Sequence, residues 1–203
     1  LYLSVEGSGG HAALTNAYDN PILALAELLP RLNDYVKEES DDQKPYVFSF
    51  GKLIADGATN IVPNTAQAEG TFRTMDETWR SKMHQKMVSF VDEFLKAKKL
   101  LGKLTIKKGY PNLYNDVAFT QSVKASAIEY FGQQNIVGIN KRMTAEDFAY
   151  YSQEIPACFF RLGVRNEELG IIHEVHHPNF DVDKDSIVNG AAALAYCTLK
   201  EMV

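Results

Sequence analysis

The chain has 203 residues, of which 45% are hydrophobic and 23% are charged, a composition typical of a soluble globular protein with one large or two modest domains. The formal net charge of -5 and the lack of a long basic run exclude a nucleic-acid footprint and disfavour a membrane surface as partner. No apolar run approaches the roughly 20 residues of a membrane helix, and no signal peptide is recognisable. We therefore expect a cytoplasmic protein.

The first half of the sequence predicts the order strand, helix, strand, strand, helix, strand. Alternating or β-rich residues predict strands at 1–6, 46–50, 65–74 and 103–108. Asn20 and Asp76 are suited to cap the two helices, whose apolar residues recur at helical spacing. This order is that of the split βαβ arrangement, in which four antiparallel strands carry two helices on one face. It predicts a first domain at residues 1–111.

Residues 112–203 have a different pattern. The predicted elements are a helix after Asp116, a short strand at 136–139, a helix opening at 144–147, a buried strand at 157–164 and a helix from 185 to about 202. Two strands are too few for an independent α/β domain, because a parallel sheet needs both faces covered. We expect a partial α/β domain, part of a sheet whose other strands lie elsewhere. The chain also opens directly in a strand, which suggests that a preceding part of a longer protein is missing.

Three of the five histidines lie close together, at His173, His176 and His177. Neutral imidazoles are good ligands for zinc, manganese or cobalt. A loop that follows a predicted buried strand and carries three of them is therefore a candidate metal site. A surface loop that carries histidines by chance fits this segment alone equally well.

A second candidate segment is the glycine-rich turn at residues 7–13, which ends with His11. Such a turn brings the backbone close to another surface. No Gly-Lys-Ser/Thr follows it, and a full dinucleotide fingerprint is missing, so nucleotide binding is disfavoured. His11 by itself fits a capping or packing role as well as a catalytic one.

Five motifs occur in order along the chain, at residues 9–13, 59–63, 69–74, 144–149 and 175–181. In their order and spacing, they together resemble the metal-dependent aminoacylase and carboxypeptidase family, which includes hippurate hydrolase, indole-acetyl-amino-acid hydrolase and glutamate carboxypeptidase. The likeness is greatest to its N-acyl-amino-acid amidohydrolase branch, and it covers only the second half of such an enzyme.

The resemblance implies a lid domain with split βαβ topology at residues 1–111, which also forms a homodimer, and the C-terminal segment of the catalytic domain at 112–203. Family positions match five residues of this sequence. His11 and Asn60 correspond to groups that stabilise an oxyanion, Arg73 and Glu146 to substrate-binding groups, and His176 to the last metal ligand. A structural role accounts for Glu146 equally well, because Glu146 and Asp147 are predicted to lie in the first turn of their helix, where the helix dipole favours acidic residues. His173 and His177 are expected not to be ligands, with His177 a possible neighbour of the metal shell.

The resemblance also implies an activity, the cleavage of the amide bond of N-acyl amino acids or small peptides by a binuclear metal centre. Two divalent ions (zinc, manganese or cobalt) would hold the attacking hydroxide, and a glutamate from the missing part would move the proton. His176 is the one good candidate ligand in this chain, so the fragment alone is expected to be inactive and to bind metal poorly. The alternative is a non-catalytic dimerisation or binding module that uses the first domain as a docking surface.

Overall fold

A computed structural model describes residues 1–41 and 44–202. The chain divides into two compact units: the first comprises Leu1–Asn112 with Met143–Ala145, and the second comprises Leu113–Arg142 with Glu146–Val203. No helix in the described part of the chain is long and apolar enough to cross a membrane.

The first unit is built on a four-stranded antiparallel sheet. Its elements are β1 (Tyr2–Glu6), β2 (Gly10–His11), α1 (Pro21–Glu38), β3 (Tyr46–Ile54), β4 (Ile61–Val62), β5 (Thr65–Thr74), α2 (Glu77–Ala97) and β6 (Leu101–Thr105). The strand order in the sheet is β3-β5-β1-β6, and β2 and β4 pair separately as a two-stranded ribbon. This confirms the predicted antiparallel sheet of split βαβ topology.

The two long helices of this unit begin where the sequence predicts. The Asn20 side chain accepts hydrogen bonds from Ile22 N and Leu23 N at 3.0 and 3.3 Å, and Asp76 Oδ1 accepts one from Trp79 N at 2.8 Å. These caps satisfy amide groups that have no partner inside the helix. The helices and the sheet enclose one continuous core, which includes Leu3, Val5, Leu25, Leu28, Leu32, Val36, Met83, Met87 and Val91.

The last strand of the sheet, β6, lies earlier in the chain than the predicted range of 103–108. It pairs with β1 so that Leu104 is opposite Leu3, and both side chains are buried. Gly102 has a φ of 148°, and a Cβ atom at this position would lie 2.2 Å from Ser4 O. The pairing register therefore requires glycine here and moves the strand by about two residues.

The second unit is mainly helical. Its elements are α3 (Val117–Phe131), a 3₁₀ turn (Gln133–Asn135), α4 (Ala149–Glu154) and α5 (Lys184–Glu201). The helices α3 and α5 pack together, with Cys197 Sγ 3.9 Å from Val123 O. Burial raises the pKa of the Cys197 thiol, which is consistent with a structural rather than a nucleophilic cysteine.

Two predicted strands of the second unit are wrong. Residues 136–139 and 157–164 form no strand, because neither segment pairs with a neighbouring strand among the described residues. The backbone of the longer segment is instead bound to the start of α3: Ala157 O accepts from Asp116 N at 2.9 Å, and the Asn115 amide exchanges two hydrogen bonds with Phe159. Phe160 is 41% exposed, which contradicts the predicted burial.

Candidate active-site residues

The β2–β4 ribbon brings His11 and Asn60 together. His11 pairs with Ile61, and Ala12 N donates to Asn60 O at 3.0 Å. Asn60 lies at the tip of the turn that Ala58 and Ile61 close with two backbone hydrogen bonds of 3.0 and 3.1 Å. The two candidate oxyanion groups are therefore neighbours on one exposed ribbon.

Glycine is required where this ribbon begins. Gly9 has a φ of 55°, and a Cβ atom there would lie 2.3 Å from Asn64 Oδ1 and 2.8 Å from Val62 O. The glycine-rich turn of the sequence is thus explained by a close approach of two backbone segments and does not require a phosphate ligand.

The imidazole of His11 has a defined hydrogen-bonding pattern. Its Nδ1 atom accepts a hydrogen bond from Ala13 N at 3.2 Å, so in the neutral ring the proton resides on Nε2. The Nε2–H group can then donate to a ligand, which is the chemistry that oxyanion stabilisation needs.

Arg73 lies near the end of β5, where it pairs with Val47. Its Nη1 atom donates to Met143 O at 2.8 Å. The edge of the guanidinium formed by Nε and Nη2 has the geometry to receive a carboxylate in bidentate fashion. Since β5 starts at Thr65 beside the ribbon, eight residues of strand place Arg73 about 26 Å farther along the sheet. The structure does not bring Arg73 together with His11 and Asn60.

Glu146 lies ahead of α4 and is half-buried. Its carbonyl accepts from Ala149 N at 3.2 Å, and the carbonyl of Asp147 accepts from Tyr150 N at 3.0 Å. Both bonds join residues three apart, so a tight turn precedes the helix and α4 begins at Ala149. The prediction that both acids lie in the first helical turn is therefore wrong, because they precede the helix.

His176 occupies an unusual backbone position. The amide of His177 donates to Glu174 O at 3.1 Å and closes a four-residue turn, in which His176 is the third residue and has a φ of 75°. This left-handed conformation is normally taken by glycine or asparagine and costs other residues about 1–2 kcal/mol. The imidazole of His176 is exposed at the apex of the turn.

His173 and His177 flank this turn and stack on each other. Their ring centroids are 4.0 Å apart and the ring planes differ by 1°. The nitrogen lone pairs of stacked imidazoles lie in two separate parallel planes, whereas two imidazoles on one metal ion must both point at it from about 2.0–2.1 Å. The stack therefore cannot form a two-histidine metal site in this conformation.

The described residues do not by themselves form a complete metal centre. Within residues 1–41 and 44–202, no group of three or more histidine, cysteine, aspartate and glutamate side chains is placed to hold a metal ion. A pair of co-catalytic ions about 3.5–4 Å apart needs several ligands, and His176 alone does not fit this requirement.

Asp183 connects three segments around the histidine turn. Its Oδ1 atom accepts from Asp185 N at 3.1 Å and caps α5, and its Oδ2 atom accepts from Asn166 Nδ2 at 2.7 Å. Its own amide donates to Val164 O at 3.0 Å. The Asn166 amide and the Asp185 N–H lower the pKa of the Asp183 carboxyl below its usual value. The sequence analysis identified neither Asn166 nor Asp183, although an aspartate just before a helix is a recognisable cap.

Comparisons with known proteins agree on one family. Residues 8–200 match the model of Peptidase family M20/M25/M40. The chain is 28% identical over 189 residues to N-acetyl-L-cysteine deacetylase of Bacillus subtilis, covering 93% of this chain and 44% of that protein. It is 28% identical over 194 residues to IAA-amino acid hydrolase ILR1-like 4 of Arabidopsis thaliana, again covering 93% and 44%. The chain thus spans less than half the length of these relatives.

A solved structure shares the fold. The YXEP protein of Bacillus subtilis, a dinuclear metal binding peptidase from the M20 family, superposes with a TM-score of 0.74 at 20% sequence identity. The superposition covers 100% of this chain and 49% of that protein. The likeness confirms the predicted mixed α/β fold.

Proposed function

The chain belongs to Peptidase family M20/M25/M40, and on this premise we propose that it is part of a binuclear metal-dependent amidohydrolase that cleaves N-acyl amino acids or small peptides. Both curated relatives are named for substrates in which an acyl group is joined to an amino acid. In this proposal residues 1–111 act as the lid and dimerisation domain, and residues 112–203 are the C-terminal segment of the catalytic domain.

The observation that carries the proposal is the conformation of His176. A histidine at a left-handed turn position, where glycine would be less strained, points to a need for its side chain. The exposed imidazole lies in the motif that matches the last metal ligand of the family. We assign it as one ligand of the metal centre, whose ions would supply an activated water for attack on the amide carbonyl.

The lid residues divide into two groups by position. His11 and Asn60 lie together on the ribbon, while Arg73 is about 26 Å along β5 from the start of that strand. A single substrate molecule of amino-acid size cannot contact both ends of one lid. We therefore expect a homodimer in which one active site receives Arg73 from one subunit and the His11–Asn60 pair from the other.

The chemistry of each group supports its assignment. The Nε2–H group of His11 can donate to the oxyanion that forms during attack. Arg73, oriented by the Met143 carbonyl, can bind the free carboxylate of the substrate. We assign Glu146 to substrate binding because its motif matches the substrate-binding position of the family.

The proposal is tested with His176→Ala in the full-length protein, using His173→Ala as the matched control. We expect the His176 variant to weaken metal binding by more than the roughly 10- to 100-fold that is typical for groups that only orient a ligand. Turnover of N-acyl amino acids should fall with it. Metal content is measured by elemental analysis after dialysis, and turnover is measured with and without chelator. Chelator-insensitive turnover, or none with any acylated amino acid or peptide, would contradict the proposal.

His176→Gly adds a test that separates function from stability. Glycine fits the left-handed conformation. The free energy of unfolding of this variant should therefore be about 1 kcal/mol higher than that of His176→Ala. Both variants should lose metal to the same extent. Denaturant titrations of the metal-free proteins measure the difference; equal stability of the two variants would remove the strain argument.

A further inference from the structure

We infer that Asn166 and Asp183 are positioning residues, which hold the His176 turn in its strained conformation. This inference rests on the metal-binding role proposed for His176. The segment between them, residues 172–182, contains all three clustered histidines, and its two ends are tied together by hydrogen bonds outside the turn itself.

The first tie is a short hairpin that precedes the histidine segment. Asn166 and Ile171 exchange two backbone hydrogen bonds of 3.0 and 2.8 Å. Beside them, Arg165 Nη1 donates to Ile172 O at 3.1 Å. The segment therefore leaves a closed four-residue loop at a defined point.

The second tie is Asp183, where the segment ends. Its carboxylate receives the Asn166 amide at 2.7 Å, and its backbone amide donates to Val164 O at 3.0 Å. Together with its capping bond to Asp185 N, Asp183 joins the hairpin to the start of α5. The bond to Asn166 is charge-assisted, which makes it stronger than a bond between neutral groups.

An asparagine suits position 166 for a specific reason. Its Oδ1 atom accepts from Leu169 N at 3.2 Å in the hairpin loop, while its Nδ2 atom donates to Asp183. Aspartate could satisfy the first contact but not the second, because an ionised carboxylate only accepts hydrogen bonds. The donor and acceptor roles of the two side chains can therefore be exchanged between positions 166 and 183.

The histidine turn needs such support because its internal contacts are few. Besides the His177 amide bond to Glu174 O, Phe180 N donates to His177 O at 2.9 Å and Asn179 N donates to His177 Nδ1 at 3.1 Å. The turn residues are exposed, and the backbone of His176 is strained. Fixing both ends of the segment limits the conformations that the strained turn could otherwise relax into.

The test uses reversal of the pair in the full-length protein. Asn166→Asp removes the donor and places two carboxylates together, whereas the double variant Asn166→Asp with Asp183→Asn restores a hydrogen bond of opposite polarity and keeps the α5 cap. Glu168→Gln, at the exposed hairpin tip, is the control. The first readout is hydrogen exchange of the His177 and Phe180 amides. The second readout is the dissociation constant for Zn²⁺.

In Asn166→Asp we expect these two amides to exchange about tenfold faster or more, and Zn²⁺ to bind about 10- to 100-fold more weakly. Amides of α3 should be unchanged. The double variant should recover both properties, and the control should match wild type. Unchanged exchange at His177 and Phe180, or failure of the double variant to restore it, would overturn the inference. Altered exchange with unchanged Zn²⁺ binding would overturn the positioning role. If His176→Ala leaves Zn²⁺ binding intact, the proposed ligand role of His176 fails. Amide exchange in Asn166→Asp still tests whether the Asn166–Asp183 hydrogen bond holds the turn.

Discussion

The two units of this chain differ in how they use their apolar residues. In the first unit, side chains such as Leu28 and Val91 are completely buried in one continuous core. In the second unit, Ile187, Val188 and Leu194 on α5 are 63%, 71% and 59% exposed. Both units contain well-capped helices, so local sequence signals are equally good in both. The comparison shows that capping residues and periodic apolar residues are sufficient to form a helix. A hydrophobic core also requires a second apolar surface that packs against that helix.

The largest expected effect concerns independent folding. Residues 1–112 expressed alone should unfold cooperatively, because their core is closed by their own sheet and helices. Residues 113–203 alone should lack fixed tertiary packing, because much of their apolar surface is exposed. Near-UV circular dichroism and ANS fluorescence distinguish the two outcomes. A sharp cooperative transition without ANS binding in the second fragment would break the comparison between the units.

A smaller effect is expected from single core substitutions. Leu28→Ala should lower the free energy of unfolding by about 2–5 kcal/mol, because it empties a fully buried position. Leu23→Ala is the control on the same helix, where the side chain is 68% exposed and the cost should be within about 0.5 kcal/mol. Denaturant titration of the 203-residue chain measures both.

Leu194→Ala extends this test to the second unit. In the 203-residue chain its effect should resemble that of Leu23→Ala, since Leu194 is 59% exposed. In the full-length protein we expect a loss of more than about 1 kcal/mol if the catalytic domain covers α5. The same small effect in both contexts would contradict the proposal that this segment completes a larger domain.

The smallest effect concerns helix capping, which should not distinguish the units. Asp76→Ala in the first unit and Asp116→Ala in the second both remove a side-chain acceptor for a helix amide at 2.8 Å. Each should cost about 0.5–2 kcal/mol. Urea denaturation of the full-length protein measures the loss in free energy of unfolding for each variant. A much smaller loss for Asp116→Ala would mean that α3 is stabilised by packing instead.

The cap at Asp76 also has a pH signature. Lys44 and then the Trp79 amide lower the pKa of the Asp76 carboxyl, so its folded-state pKa lies below the unfolded value of about 3.9. Its contribution to stability is therefore present above the unfolded value and is lost as the pH falls through the folded pKa. Asp76→Asn keeps the cap without the charge. The difference in free energy of unfolding between this variant and wild type, measured by denaturant titration, should shrink as the pH is lowered from 6 into the acidic range. A difference that stays constant with pH would contradict the charge effect.

The sequence predicted the first unit well because its signals were local or strictly periodic. The capping residue Asn20, the alternation along 65–74 and the apolar spacing of the helices each specify an element without reference to distant residues. Local sequence signals were misleading at residues 157–164, where a run of apolar residues is typical of a buried strand. A strand is defined by its partner, and here the polar backbone groups are bound by Asn115 and Asp116 instead.

The sequence by itself determined the family, the antiparallel sheet and the candidate residues His11, Asn60, Arg73, Glu146 and His176. Only the tertiary structure decided how these residues are arranged: His11 beside Asn60, Arg73 at the other end of β5, and His176 at a left-handed turn position. It also revealed the pair Asn166–Asp183, which lies 17 residues apart in the chain. The physical reason is that hydrogen bonds between distant residues depend on which segments meet in space, whereas residue periodicity specifies only the type of an element and its apolar face.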